Sequence, residues 1–79
     1  MLNAQTLQSY IEAGLACDYI LVEGDDGTHF SATIVAPAFE GKRRVQQHQM
    51  VYQVLGDRMK AEIHALAMQT YSPSEWAAK

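Results

Sequence analysis

The chain has 79 residues, 48% of them hydrophobic and 19% charged, a balance that suits one small folded domain and excludes a disordered tail. Six basic residues against nine acidic give a net charge of −3, which argues against strong nonspecific binding to nucleic acid. The single cysteine excludes an internal disulfide framework and a self-contained four-cysteine metal site.

One domain spanning residues 1–79 is expected; a reduced, cytoplasmic compartment fits best, and the same cysteine count also suits an organelle matrix. No apolar run reaches the roughly 18 to 20 residues of a membrane span. The opening Met1-Leu2-Asn3-Ala4-Gln5 has neither a basic region nor a signal-peptide core, so no membrane partner is expected.

In chain order, the first element reads as a helix over Ala4–Ala13. Asn3 is placed to cap it, Leu2 and Leu7 to staple it, and Gly14 to stop it. Leu7, Tyr10 and Ile11 give the three-and-four spacing of one apolar face. Tyr19–Glu23 is a strand by composition, and Gly24-Asp25-Asp26-Gly27 is a hairpin turn. His29–Ala36 is the second strand, with Phe30, Ala32 and Ile34 on one face and Pro37 as its stop. Pro37–Gly41 reads as a short helical turn closed by glycine.

The longest helix is predicted over Arg43–Lys60, with Val45, Val51, Tyr52, Leu55 and Met59 in one apolar stripe and His48 inside it. Gly56 weakens that helix by roughly 1 kcal/mol relative to alanine and blurs its C-terminal end. Ile63–Tyr71 alternates as a third strand. Ser72 then caps a terminal helix with Pro73 in its first position, Glu75 closing a capping box, and Tyr71 and Trp76 as the staple.

The order α-β-β-α-α-β-α makes the first two strands antiparallel and the second and third parallel, joined by a right-handed crossover. Parallel strands start at the same end, so His29 and His64 are expected at one pole with the Asp25-Asp26 turn. Lys42, Arg43 and Arg44 follow the second strand and belong at the opposite pole.

Thr28-His29-Phe30, Phe39-Glu40-Gly41-Lys42, Val45-Gln46-Gln47-His48-Gln49-Met50-Val51-Tyr52, Ile63-His64-Ala65-Leu66 and Thr70-Tyr71-Ser72-Pro73-Ser74-Glu75-Trp76 occur in that order. This set resembles the BolA family from Ile11 to Trp76, and the short hairpin turn looks most like its bacterial IbaG-type subgroup. The resemblance implies an α/β (α+β) BolA-like fold, similar to the second KH class, with a three-stranded mixed sheet. It also implies a monothiol glutaredoxin as partner and a 2Fe-2S cluster shared across the interface, in iron–sulfur cluster assembly and trafficking and in iron or stress response. The alternative it implies is a KH-like DNA-binding transcriptional regulator linked to stress and cell morphology.

By the same resemblance, His64 is the cluster ligand. Neutral imidazole can replace thiolate on iron, and a chain with one cysteine leaves the remaining positions to a partner. A plain strand histidine beside Leu66 and Met68 is the competing reading of His64. For the second ligand the hairpin loop offers neither cysteine nor histidine, so His29 is the first choice and Asp26 the runner-up. A carboxylate suits iron–sulfur chemistry poorly and more often shapes a turn. Cys17 precedes the first strand, at the pole far from His64, and reads as a buried thiol.

His48 is expected to be structural, in the core with Tyr52, and Trp76 to be partly buried there. Lys42, Arg43 and Arg44 are the candidate nucleic-acid contacts, although Gly41-Lys42-Arg43-Arg44 offers only the first glycine of the Gly-x-x-Gly loop of KH domains. A solvated basic turn, or a patch for an acidic partner, is the alternative. With no Gly-rich phosphate loop, nucleophile elbow or Cys–His pair at one pole, no enzyme is expected. Alone, the chain is expected to be a monomer or a weak homodimer.

Overall fold

The computed structural model describes residues 2–24, 26, 29–61, 63 and 65–79, and for Lys60 and Ala61 the backbone only. Asp25, Gly27 and Thr28 of the expected hairpin turn lie outside the described residues, as do Met1, Glu62 and His64.

Helix α1 (Ala4–Gly14) opens on the expected cap: the Thr6 amide donates to Asn3 Oδ1 at 2.8 Å, satisfying one of the donors left open at a helix start. Strands β1 (Tyr19–Glu23) and β2 (His29–Val35) run antiparallel, with Tyr19 opposite Val35 and Glu23 opposite Ser31. A 3-10 turn over Pro37–Phe39 follows, then Gly41 with φ +74°. Helices α2 (Arg44–Leu55) and α3 (Arg58–Ala61) carry the chain back, β3 (Ala65–Tyr71) lies parallel to β2, and α4 (Pro73–Ala77) completes the chain. The sheet order is β1-β2-β3, the mixed three-stranded α+β arrangement expected.

Strand alternation decides what is buried. On one face Val22, Phe30, Ala32 and Ile34 are nearly inaccessible, and Leu7 and Ile11 of α1 with Val51 and Leu55 of α2 close over them. Phe39 and Ile63 complete this core. Burying each such side chain contributes roughly 1.5–3 kcal/mol. The other face carries Tyr19, Leu21, Ser31, Ala67 and Gln69, all exposed, and α4 approaches it at one end through Trp76.

Two expectations for the long helix are corrected. It does not run to Lys60, because Gly56 takes φ +56° and ψ −130°, a backbone state essentially confined to glycine. Its amide still closes the helix on the Tyr52 carbonyl at 2.8 Å, and the chain restarts as α3. The buried stripe also differs. Gln47, Val51 and Leu55 are 0–1% exposed, whereas Val45 is 59% and Tyr52 40% exposed. Tyr52 is therefore not a core residue. Polar residues fill most of the first turn, so the apolar period alone left the rotation of the helix about its axis undetermined.

His48 sits beside the buried stripe and is half-buried, with Nε2 inaccessible and without a hydrogen-bond partner among the described residues. Trp76, expected in the core, is 37% exposed. Its indole stacks on Tyr19 (centroids 5.3 Å, planes 18° apart) and tilts against Tyr71 at 5.2 Å. The staple forms as expected, but on the outer face of the sheet. Tyr19, Val35 and Tyr71 share one cross-strand row there, and Val35 between the two rings is only 1% exposed.

Candidate functional site

At the pole where β2 and β3 begin, His29 pairs with Ala65 in the parallel ladder. Ala65 follows His64 in the chain, and His64 itself lies outside the described residues. Asp26 holds His29 twice: Oδ1 accepts from the His29 amide at 2.8 Å and Oδ2 lies 2.8 Å from Nδ1. The first contact shapes the end of the turn. The second places the imidazole proton on Nδ1. Both side chains are more than half exposed, so the pair adds at most about 1 kcal/mol to stability.

Both oxygens of Asp26, the runner-up ligand of the sequence reading, face His29, the geometry in which carboxylates orient metal-bound histidines. A Cβ on Gly24 would stand 2.6 Å from Phe30 Cδ1 and 2.8 Å from the His29 carbonyl oxygen. Glycine is therefore needed where the turn crosses the start of β2. Glu23, Gly24, Phe30 and Ser31 border a shallow open depression with His29.

Cys17 is at the other end of the sheet, just before β1, and donates to the Leu15 carbonyl at 3.3 Å. Burial and the nearby carboxylates of Glu12 and Asp18 raise its pKa from 9.0 to about 11. It is a protonated, partly buried thiol, in keeping with the sequence reading. Among the described residues no group of three His, Cys, Asp or Glu side chains could hold a metal ion.

The opposite pole is organised by a residue the sequence reading did not single out. Gln47 is fully buried. Its Nε2 donates toward the carbonyls of Phe39 (3.3 Å) and Lys42 (3.1 Å) and toward Glu75 Oε1 (3.1 Å), while its Oε1 accepts from Thr70 Oγ1 at 2.7 Å. A glutamine four residues before Val51, in step with the apolar spacing, was the available signal.

Glu75 also accepts from the Ser72 amide at 2.8 Å, and Ser72 Oγ accepts from the Glu75 amide at 3.2 Å, completing the expected capping box. The Ser72 amide, then Gln47, hold the Glu75 carboxyl below its ordinary pKa, with Arg44 adding to them. Glu40 Oε2 accepts from the amide and hydroxyl of Ser74 at 3.1 and 2.8 Å. The Lys42–Arg44 segment and α4 are thereby joined. Lys42, Arg43 and Arg44 are all exposed, and Arg44 lies 3.7 Å from Glu75 and over the Tyr71 ring at 5.2 Å.

The fold and its two poles define a small α+β protein with a three-stranded mixed sheet and a histidine at the start of the central strand. Residues 6–75 match the family described as BolA-like protein, and the chain belongs to that family. It is 42% identical over 52 residues to the DNA-binding transcriptional regulator BolA of Haemophilus influenzae, covering 66% of this chain and 50% of that protein. It is 32% identical over 75 residues to BolA-like protein 1 of Bos taurus, covering 95% and 53%. The chain spans about half the length of these relatives. Among solved structures, a BolA homologue from Coxiella burnetii superposes with a TM-score of 0.84 at 38% identity, covering 98% of this chain and 99% of that one. A protein from Babesia bovis superposes at 0.86 with 28% identity, covering 99% and 93%. Among the described residues no helix is long and apolar enough to cross a membrane.

Proposed function

We propose that the histidine pole is one half of a shared iron–sulfur site, and that this chain is a non-catalytic partner of a monothiol glutaredoxin. His64 and His29 would supply imidazole nitrogens to a 2Fe-2S cluster, and the glutaredoxin cysteine with its bound glutathione would supply the thiolates. The role is then in iron–sulfur cluster assembly and trafficking, in iron or stress response.

The observation that carries this reading is the Asp26–His29 pair. A carboxylate on Nδ1 fixes the tautomer and aims Nε2 as the ligating nitrogen, the arrangement that metal-binding histidines use. The cluster, when shared, would supply the electron-transfer chemistry, and imidazole ligation would raise its potential. Cys17, protonated and at the other end of the sheet, contributes nothing to it.

The test is visible absorbance and circular dichroism during titration of the chain into a cluster-loaded monothiol glutaredoxin. A spectral change that saturates at one-to-one, and is lost in His64→Ala and weakened in His29→Ala, is expected. Unchanged spectra would exclude the shared cluster. A change that survives both substitutions would exclude the histidine ligands.

A second reading is a DNA-binding regulator acting through Lys42, Arg43 and Arg44. It is favoured by the exposure of these three side chains on one rigidly held segment. Retention of a DNA duplex that weakens with salt at the modest slope three cations give, and is lost when the three are replaced by alanine, would support it.

A further inference from the structure

We propose that the outer face of the sheet is a self-complementary docking surface for a second copy of this chain, the two sheets packing face to face with their ends exchanged. The inference goes beyond both readings above and rests on neither.

The rows of the sheet fix what this face presents. Side chains alternate between the two faces, so the register puts Tyr19, Val35 and Tyr71 in one outer row, and Leu21, Thr33 and Gln69 in the next. Glu23, Ser31 and Ala67 form the third row, and His29 with Ala65 lies one row beyond. Of the five exposed large hydrophobic side chains among the described residues, Tyr19, Leu21 and Trp76 are on this face. Removing them from water drives association.

The two ends match in shape. The first row stands high, because Trp76 packs on Tyr19 at 5.3 Å and on Tyr71 at 5.2 Å, above the covered Val35. The third row is low: Glu23, Ser31, Ala67 and Gln69 border a shallow hollow floored by small side chains. Consider a two-fold axis lying between the sheets along the Leu21–Thr33–Gln69 row. It sets Trp76 over Ser31 of the other copy, Tyr71 over Ala67, Tyr19 over Glu23 and Leu21 over its own equivalent. The indole enters the hollow at both ends at once, as an isologous contact requires. Without the exchange of ends the two indoles would collide.

Charge selects the same pairing. Lys42, Arg43, Arg44 and Lys79 belong to the aromatic end, where Arg44 stands over the Tyr71 ring at 5.2 Å and Lys79 over Trp76 at 5.9 Å. Of the carboxylates there, Glu40 is engaged by Ser74, and Glu75 by Ser72 and Gln47, which leaves Asp18 against the cations. The other end carries Glu23 and Asp26, both exposed. Exchanging the ends brings Lys79 toward Glu23 of the other copy, whereas equal ends would set like charges together.

The face is small. Its seven-residue strands give about 14 by 23 Å, well short of the roughly 800 Å² per partner of a stable interface. The dimer is therefore weak and forms at high concentration. His29 lies at the end of the same face, so self-association competes with any partner that reaches its imidazole from this side.

Trp76 is the only tryptophan, so its emission reads this face directly. Sedimentation equilibrium from micromolar to millimolar concentration should show a monomer–dimer transition, with Trp76 emission moving to shorter wavelength at the same midpoint. In NMR spectra over that range the Ser31 and Ala67 amides should shift with the Trp76 indole, while Ser9 and Glu12 of α1 stay fixed. Leu21→Lys sets like charges on the axis and should weaken the dimer at least about tenfold. Glu23→Lys should weaken it about threefold, and Lys79→Glu in the same chain should restore it. Should Leu21→Lys unfold the chain by circular dichroism, this charge exchange carries the test.

A chain that stays monomeric at millimolar concentration would overturn the proposal. So would a dimer that leaves Trp76, Ser31 and Ala67 unperturbed, or one indifferent to a folded Leu21→Lys, since either places the contact on another surface. Equal affinity across the charge variants would overturn the exchange of ends.

Discussion

Thr70 Oγ1 donates to Gln47 Oε1 at 2.7 Å, and both side chains are fully buried. This contact joins the first turn of α2 to the end of β3 across the core. Through the other end of the same amide it reaches the carbonyls of Phe39 and Lys42 and the carboxylate of Glu75. Replacing Gln47 by leucine keeps the volume but leaves the Thr70 hydroxyl and two carbonyls without this partner. Each buried group stranded in this way costs about 1–3 kcal/mol. Gln47→Leu should therefore lower stability in urea by about 2–3 kcal/mol, a large share for a domain of this size. A loss under 0.5 kcal/mol (about the level of an ordinary surface change) would show that the network contributes little.

The Asp26–His29 pair makes the opposite prediction. Both groups are more than half exposed, so Asp26→Ala should change the urea midpoint by less than the equivalent of about 1 kcal/mol. It should nevertheless weaken the spectral change on mixing with cluster-loaded glutaredoxin, because the imidazole loses the carboxylate that orients it. Asp26→Ala with an unaltered cluster spectrum would remove the orienting role.

Glu75 sets an acid limit on α4. Its folded pKa lies below the ordinary 4.5 because the Ser72 amide, Gln47 and Arg44 favour the ionised form. A carboxylate depressed on folding contributes stability that is present above its unfolded pKa and lost as pH falls through its folded one. Thermal melts should therefore show stability falling as pH drops below about 4.5, with a shallower fall in Glu75→Gln. Equal slopes for the two proteins would contradict this.

Cys17 should be sluggish toward thiol reagents. With its pKa near 11, the thiolate is on the order of 0.1% of the thiol at pH 8, against roughly 20% for a free cysteine. Labelling should be about two-hundredfold slower than for the unfolded chain. Its rate should climb about tenfold per pH unit up to pH 10, without the plateau near 9 of an ordinary thiol. An early plateau would place the thiol in a less buried setting.

Much of the architecture was legible because it is written in local chemistry. Asn3, Ser72, Pro73 and Glu75 act within three residues of themselves, and the strand parities of β1 and β2 follow from the two-residue period. The parallel pairing of β3 followed from the length of the crossover. The break at Gly56 was visible as a weakness but not as a stop, since the sequence does not say which glycine takes a positive φ.

The candidate sites were legible in part. His29 was found from its register with the start of β3, and Lys42–Arg44 from their run of charge. Asp26 was found as a residue, but its contact with His29 was not, because a carboxylate near a histidine can either ligate or orient and the 2.8 Å approach to Nδ1 is a tertiary fact. Gln47 was passed over because a single amide has no periodic signature.

The sequence by itself determined the order of elements, their caps, the faces of the central strands and membership of the BolA-like family, all properties of neighbouring residues or of an ordered motif. Only the tertiary structure decided which side of α2 faces inward, that Gln47 joins residues 23 and 28 positions away, and that Trp76 stacks on Tyr19 across almost the whole chain. Such contacts depend on where packing brings distant segments, and no local pattern in the sequence encodes that distance.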